Sequence, residues 1–185
     1  MSRSPERLAV LALALTLATG PAAAAWADPE DTVAGVEDIV TPVEDVIAEV
    51  ESLDGAESES KQGDQVTVAL TSDVLFALDR AVLTPRARQR LRRVAERIRI
   101  DSAGGTVRIE GHTDDQGTEV YNDALSLRRA QAVRQVLARQ LSQVTFQAMG
   151  FGERRPKVPN AAQGRPVREN QAKNRRVEII FSAKR

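Results

Sequence analysis

The sequence predicts an α/β fold, a mixed four-stranded sheet with its helices packed on one face. Short stretches at 65–70 (QVTVAL) and 106–111 (TVRIEG) alternate apolar and polar residues, as half-buried strands do. Two longer stretches, after Thr84 and from Asn122, repeat apolar residues at spacings of three and four, the pattern of amphipathic helices. Their order gives two βαβ units followed by a further strand, and such an order packs as a two-layer sandwich.

Of 185 residues, 42% are hydrophobic, enough for one globular core with appendages. The formal net charge is zero, yet residues 28–60 hold twelve acidic residues and no Lys or Arg, while 61–185 hold 24 basic and 13 acidic. The chain reads as an acidic arm on a basic domain. Residues 1–27 have the layout of a secretory signal: Arg3 and Arg7, an apolar run from Leu8 to Ala18, and the small-residue site Ala25-Trp26-Ala27. That run is shorter than the roughly 20 residues of a membrane span, so cleavage is expected and no transmembrane segment in the mature chain. Without cysteine there is neither a disulfide framework nor a site for a lipoprotein anchor.

Residues 28–62 are expected to be an acidic linker, disordered or partly helical. Val33, Val36, Val40, Val43, Ile47 and Val50 form a heptad-like stripe, but Gly35 and Pro42 interrupt it. A self-repelling spacer is favoured over a docking helix. The domain, 63–185, opens with the strand at 65–70 and a loop over 72–82 that includes Leu75, Phe76 and Asp79. Thr84 then caps a helix with Pro85 at its first position, and Ala87, Leu91, Val94 and Ile98 make its buried face. Its other faces carry Arg86, Arg88, Arg90, Arg92, Arg93, Arg97 and Arg99. After the strand at 106–111, a helix from Asn122 to about Leu141 buries Ala130, Val133, Leu137 and Leu141. Residues 144–150 read as a strand, 153–173 as a long polar loop, and 176–182 as the closing strand.

The stretch 111–130, GHTDDQGTEVYNDALSLRRA, joins a strand to a helix through a polar turn and carries the chemistry. At about 100° per residue, Asn122, Leu125 and Arg129 share one flank of the helix, whereas Arg128 points to solvent. Arg129 therefore looks back at the turn that holds Asp114. A carboxylate and a guanidinium at one mouth can receive a small zwitterion, one taking its ammonium and the other its carboxylate. An ordinary Asp114–Arg129 ion pair bracing turn against helix is the competing reading. The sequence has one histidine and no second metal-ligand cluster at usual spacings, so no metal and no cofactor are expected. His112 is expected to brace the turn by hydrogen bonding. No nucleophile–base constellation appears, so the chain is not expected to be an enzyme. Few aromatics are present to stack bases, and with the export signal this argues against nucleic acid.

The string GHTD, with Gly117, Asn122, Leu125-Ser126 and Arg129-Ala130 at their spacing, resembles the signature of the OmpA-like peptidoglycan-binding domain. LFALDRAVLTP at 75–85 and NRRVEI at 174–179 resemble two further family segments, and the likeness covers roughly 65–183. This resemblance implies an OmpA-like sandwich that binds peptidoglycan non-covalently through the diaminopimelate of its peptide stem. Position by position, it implies Asp114 for the ammonium and Arg129 for the carboxylate, with Thr113, Asn122 and Leu125 at the pocket and Asp79 and Arg176 as further contacts. Phe76 is read as packing. The protein is then expected in the periplasm or cell wall, associated with the outer membrane or secreted, with the basic helix attracting anionic wall polymers. The alternative is a protein–protein interaction module of the envelope with a structural Asp114–Arg129 pair.

Overall fold

The computed structural model describes residues 48–77 and 80–184, all within one compact unit, Pro42–Arg185. The signal expected at 1–27, the arm before residue 48 with most of its valine stripe, and Asp79 lie outside the described residues. The strands are β1 (Ala48–Glu51), β2 (Glu57–Gln62), β3 (Gln65–Thr71), β4 (Thr106–Gly111), β5 (Thr145–Gly150), β6 (Ala161–Ala162), β7 (Arg165–Pro166) and β8 (Arg176–Ser182). The helices are α1 (Ser72–Leu75), α2 (Pro85–Asp101), α3 (Glu119–Ala138) and α4 (Arg168–Asn174).

The main sheet has six strands in the order β1-β2-β3-β8-β4-β5, and β6 with β7 makes a separate small hairpin. The four expected strands form its contiguous part. Among the described residues only the β4–β5 pair is parallel; β8 inserts antiparallel between β3 and β4. Alternation in the strands turns Val66, Val68, Leu70, Val107, Ile109, Val177, Ile179 and Phe181 to one face. There they meet Ala87, Leu91, Val94 and Ile98 of α2 and Ala130, Val133 and Leu137 of α3, all buried. The helices thus lie on one face, as the periodicity required.

Helix starts follow local chemistry. Thr84 Oγ1 accepts from the Ala87 N–H at 3.0 Å with Pro85 in the first helical position. The second long helix begins three residues earlier than Asn122, because Thr118 Oγ1 accepts from the Tyr121 N–H at 3.2 Å. Leu141 lies beyond its end yet is buried.

Two expectations are corrected. Residues 48–62 are not linker but the edge hairpin β1–β2, so the sheet has six strands rather than four. The polar run ESESKQ pairs with β3 from Glu57↔Leu70 to Gln62↔Gln65, which puts Glu57 and Glu59 on the helix face. From there they reach Arg90 and Arg97. The loop at 153–173 is also more ordered than its composition implies. Asn174, fully buried, accepts from the Lys157 and Val158 N–H groups and donates to Val158 O and Asn160 Oδ1, tying α4 to the loop. Among the described residues, no helix is long and apolar enough to cross a membrane.

Candidate functional site

At the end of β4 the chain leaves the sheet through 112–118, and Gly117 adopts φ +100°, a conformation that side chains resist. Asn122, buried on the first turn of α3, donates to Glu153 Oε2 at 2.7 Å, Gln116 O at 3.1 Å and Asp114 O at 3.4 Å, holding the turn in shape. Above this turn opens a cavity of about 600 Å³ lined by α1, the 113–116 turn, α3 and Arg175. Asp114, Arg129, Asn122, Leu125 and Thr113 all border it. Volumes of about 300–1,000 Å³ suit small-molecule ligands.

Each charged group in the cavity is held from behind. Asp114 is buried, with Oδ2 2.8 Å from Arg175 Nη1 and Oδ1 accepting from the Gln116 N–H at 3.2 Å. Arg175 also grips Asp73, with Nη2 2.9 Å from Oδ2, and these carboxylates, Asp73 first, raise the guanidinium's pKa further. Arg129 is buried against Phe76, its guanidinium carbon 5.4 Å from the ring centre, and its Nε donates to Arg80 O at 3.1 Å. Phe76 therefore packs, as expected, and also orients the arginine. Among the described residues the ion-pair partner of Asp114 is Arg175, not Arg129.

Two buried hydroxyls complete the lining. Ser72 Oγ and Thr113 Oγ1 have no hydrogen-bond partner among the described residues, although the residues are only 1% and 3% exposed. Groups of this kind are costly unless something satisfies them.

Arg176 does not join the site. In β8 it alternates with Val177 and points to the sheet face away from the helices, where Nε lies 2.7 Å from Glu178 Oε1 and Nη2 donates to Arg155 O. The cavity arginine is its neighbour, Arg175, just before the strand begins. Sequence reading missed Arg175, Ser72 and Asp73. The only signal for Arg175 was the Arg-Arg doublet itself, in which one member must face away from the other once the strand starts.

The outer face also corrects His112. Its ring is 1% exposed, stacks on Phe151 at 5.6 Å, and neither nitrogen makes a hydrogen bond among the described residues. Burial, then the nearby Arg176 charge, pushes its pKa down to about 4, against an opposing pull from Glu178. Glu110, His112 and Glu178 bring ligand atoms within 4.8 Å of one another, a grouping the sequence spacing did not reveal. Their carboxylates are already engaged: Arg108 and Arg155 lie 3.4 and 3.5 Å from Glu110, and Arg176 holds Glu178. The grouping is an ion network around a neutral ring.

Fold and cavity together define a small α/β domain with a polar, charge-lined pocket at the strand-to-helix turn. Residues 75–175 match the OmpA family, and the chain belongs to that family. It is 37% identical over 119 residues to outer membrane porin F of Pseudomonas aeruginosa, across 63% of this chain and 32% of that protein. It spans about a third of the length of the porin F proteins it matches. The peptidoglycan-associated lipoprotein of Pseudomonas aeruginosa is 34% identical over 129 residues, covering 68% of this chain and 73% of that one. The cell wall anchor of the T6SS from Pseudomonas aeruginosa superposes with TM-score 0.60 at 30% identity, over 70% of this chain and 89% of that one.

Proposed function

We propose that this domain attaches the protein to the cell wall by binding the peptide stem of peptidoglycan non-covalently, with diaminopimelate as the recognised residue. The observation that carries this reading is the cavity itself. It gathers Asp114, Arg129 and Arg175 with two buried hydroxyls that have no hydrogen-bond partner among the described residues. Asp114, with Asp73 beside it, takes the ammonium of the zwitterion. Arg129, held against Phe76 and Arg80 O at the cavity wall, takes the carboxylate. Thr113 and Ser72 supply further hydrogen bonds, and Leu125 packs on the methylene chain. The likeness to a peptidoglycan-associated lipoprotein and to a cell wall anchor supports an envelope location. The secretory signal expected from the sequence of 1–27 agrees with it. Binding, rather than turnover, is the task of such a pocket.

Titration of meso-diaminopimelate and sedimentation with peptidoglycan sacculi test the proposal. The parent should bind both, and Asp114→Ala and Arg129→Ala should bind neither while melting cooperatively. A well-folded parent that binds neither would move the assignment to a protein–protein interaction module.

A further inference from the structure

The arginines of α2 divide into two groups. Arg90 pairs with Asp54 at 2.5 Å and lies 3.8 Å from Glu57; Arg97 pairs with Glu59 at 3.0 Å and with Asp101; Arg99 pairs with Glu96. The guanidiniums of Arg88 and Arg92, one turn apart, have no hydrogen-bond or ion-pair partner among the described residues. Arg139, at the C-terminal end of α3, is in the same position. These three guanidiniums line a groove of about 590 Å³ between α2 and α3, floored by Leu83, Ala132 and Val136. Among the described residues no acidic side chain lines it.

The placement works against the helix that carries it. The first turn of α2 has no acidic residue and instead holds Arg86 and Arg88, where the helix dipole disfavours cations. Arg88 and Arg92 also repel each other at the i,i+4 spacing. Carboxylates that could offset this sit on the other side of α2, in β2 and its turn, and are taken by Arg90 and Arg97. Among the described residues these guanidiniums are therefore left uncompensated over an apolar floor.

We propose that this groove binds a phosphodiester-linked polyol polymer of the envelope. Guanidinium forks match the paired non-bridging oxygens of a phosphodiester, and three of them in one groove match a repeating anion better than a single one. The alkyl carbons between phosphates suit the Leu83, Ala132 and Val136 floor. Among the described residues no aromatic side chain lines the groove to stack a base or a sugar ring, which argues against nucleic acid. The presence of such a polymer beside the protein rests on the wall-attachment reading above, but the groove shares no lining residue with the diaminopimelate cavity.

The test uses the full chain and a synthetic glycerol-phosphate oligomer in titration calorimetry. Vesicles of phosphatidylglycerol in phosphatidylcholine, and meso-diaminopimelate, are run as separate arms. A groove variant, Arg88→Gln with Arg92→Gln and Arg139→Gln, is compared with a control that removes equal charge elsewhere, Arg128→Gln with Arg134→Gln and Arg165→Gln. All six side chains belong to exposed residues, so both variants should keep the parent's melting temperature. The groove variant should bind the oligomer at least about tenfold more weakly, and the control within about twofold of the parent. Equal losses in the two variants, no oligomer binding by the parent, or binding to vesicles alone each overturns the proposal. Retained diaminopimelate binding in the groove variant separates this result from the other site. A parent that binds oligomer through the groove but not diaminopimelate would remove the peptide-stem reading and leave the groove standing.

Discussion

Two adjacent arginines, Arg175 and Arg176, divide between the cavity and the far side of the sheet. Arg175 faces the cavity and holds Asp73 and Asp114, whereas Arg176 neutralises Glu178 behind the sheet. Arg175→Ala should weaken diaminopimelate binding more than it lowers stability, because Asp114 loses the fork that positions it. Arg176→Ala should leave binding nearly intact and cost about 3 kcal/mol, the usual result of breaking a buried ion pair from one side. Urea unfolding and ligand titration on both variants check this, and the opposite pattern would exchange their roles. The sequence motif named the doublet but not the member that lines the cavity, since only the start of β8 fixes which arginine points where. His112 gives a second residue-scale prediction. Its folded pKa of about 4 lies below the ordinary 6.5, so between those values the unfolded chain binds a proton that the folded chain refuses. The stability of the neutral ring is fully present above about pH 6.5 and is lost as the pH falls toward 4, a change of roughly 3 kcal/mol. Unfolding free energies at pH 7 and pH 4.5 should differ less in His112→Phe, which keeps the stack on Phe151 but cannot titrate. An equal fall in both chains would mean that the carboxylates alone set the acid limit.

Among elements, α3 is set by how closely it approaches the sheet. A Cβ at Gly111 would overlap the backbone carbonyl of Ser126, and one at Gly150 would lie 2.5 Å from Leu127 N and 2.6 Å from Ser126 Oγ. Ser126 is buried in the same contact and accepts from the Gly152 N–H at 3.0 Å. Two glycines at the ends of the parallel pair β4–β5 thus let the first half of α3 rest directly on backbone, which aims Asn122, Leu125 and Arg129 at the cavity. Gly111→Ala must push α3 outward. It should cost about 1–3 kcal/mol and also weaken diaminopimelate binding, though no atom of Gly111 borders the ligand cavity. Lost stability with unchanged affinity would show that the helix can shift without moving Arg129. The two long helices and four central strands were legible because each has an apolar period and the first of those helices also carries a readable threonine cap, Thr84. The hairpin β1–β2 was not. Its alternation in ESES sets Glu against Ser, two polar residues, and hydrophobic patterning is blind to it.

For the whole molecule, the zero net charge conceals an internal neutralisation that the sequence showed only as asymmetry. The acidic residues after 48 do not extend into a spacer; several dock on the basic domain. Asp54 and Glu57 meet Arg90, Glu59 meets Arg97, and Glu49 meets Lys157 at 2.5 Å on the opposite face. The Asp54 carboxyl, held by Ser52 and Arg90, is pushed down to about 2 as a result. Exposed pairs of this kind contribute little one at a time, yet here they come with a full β2–β3 ladder and the buried side chain of Ala56. The domain boundary expected at residue 63 therefore cuts through the sheet. A chain beginning at 63 should unfold at lower urea concentration than one beginning at 42, with a deficit of about 2 kcal/mol or more. It should also associate through the bared edge of β3, where the backbone groups that paired with β2 are left open. Added salt should narrow the gap between the two chains only in part, since it screens the ion pairs and leaves the ladder untouched. Equal stability of the two chains would mean that the hairpin merely rests on the sheet. A gap abolished by salt would assign its whole contribution to charge.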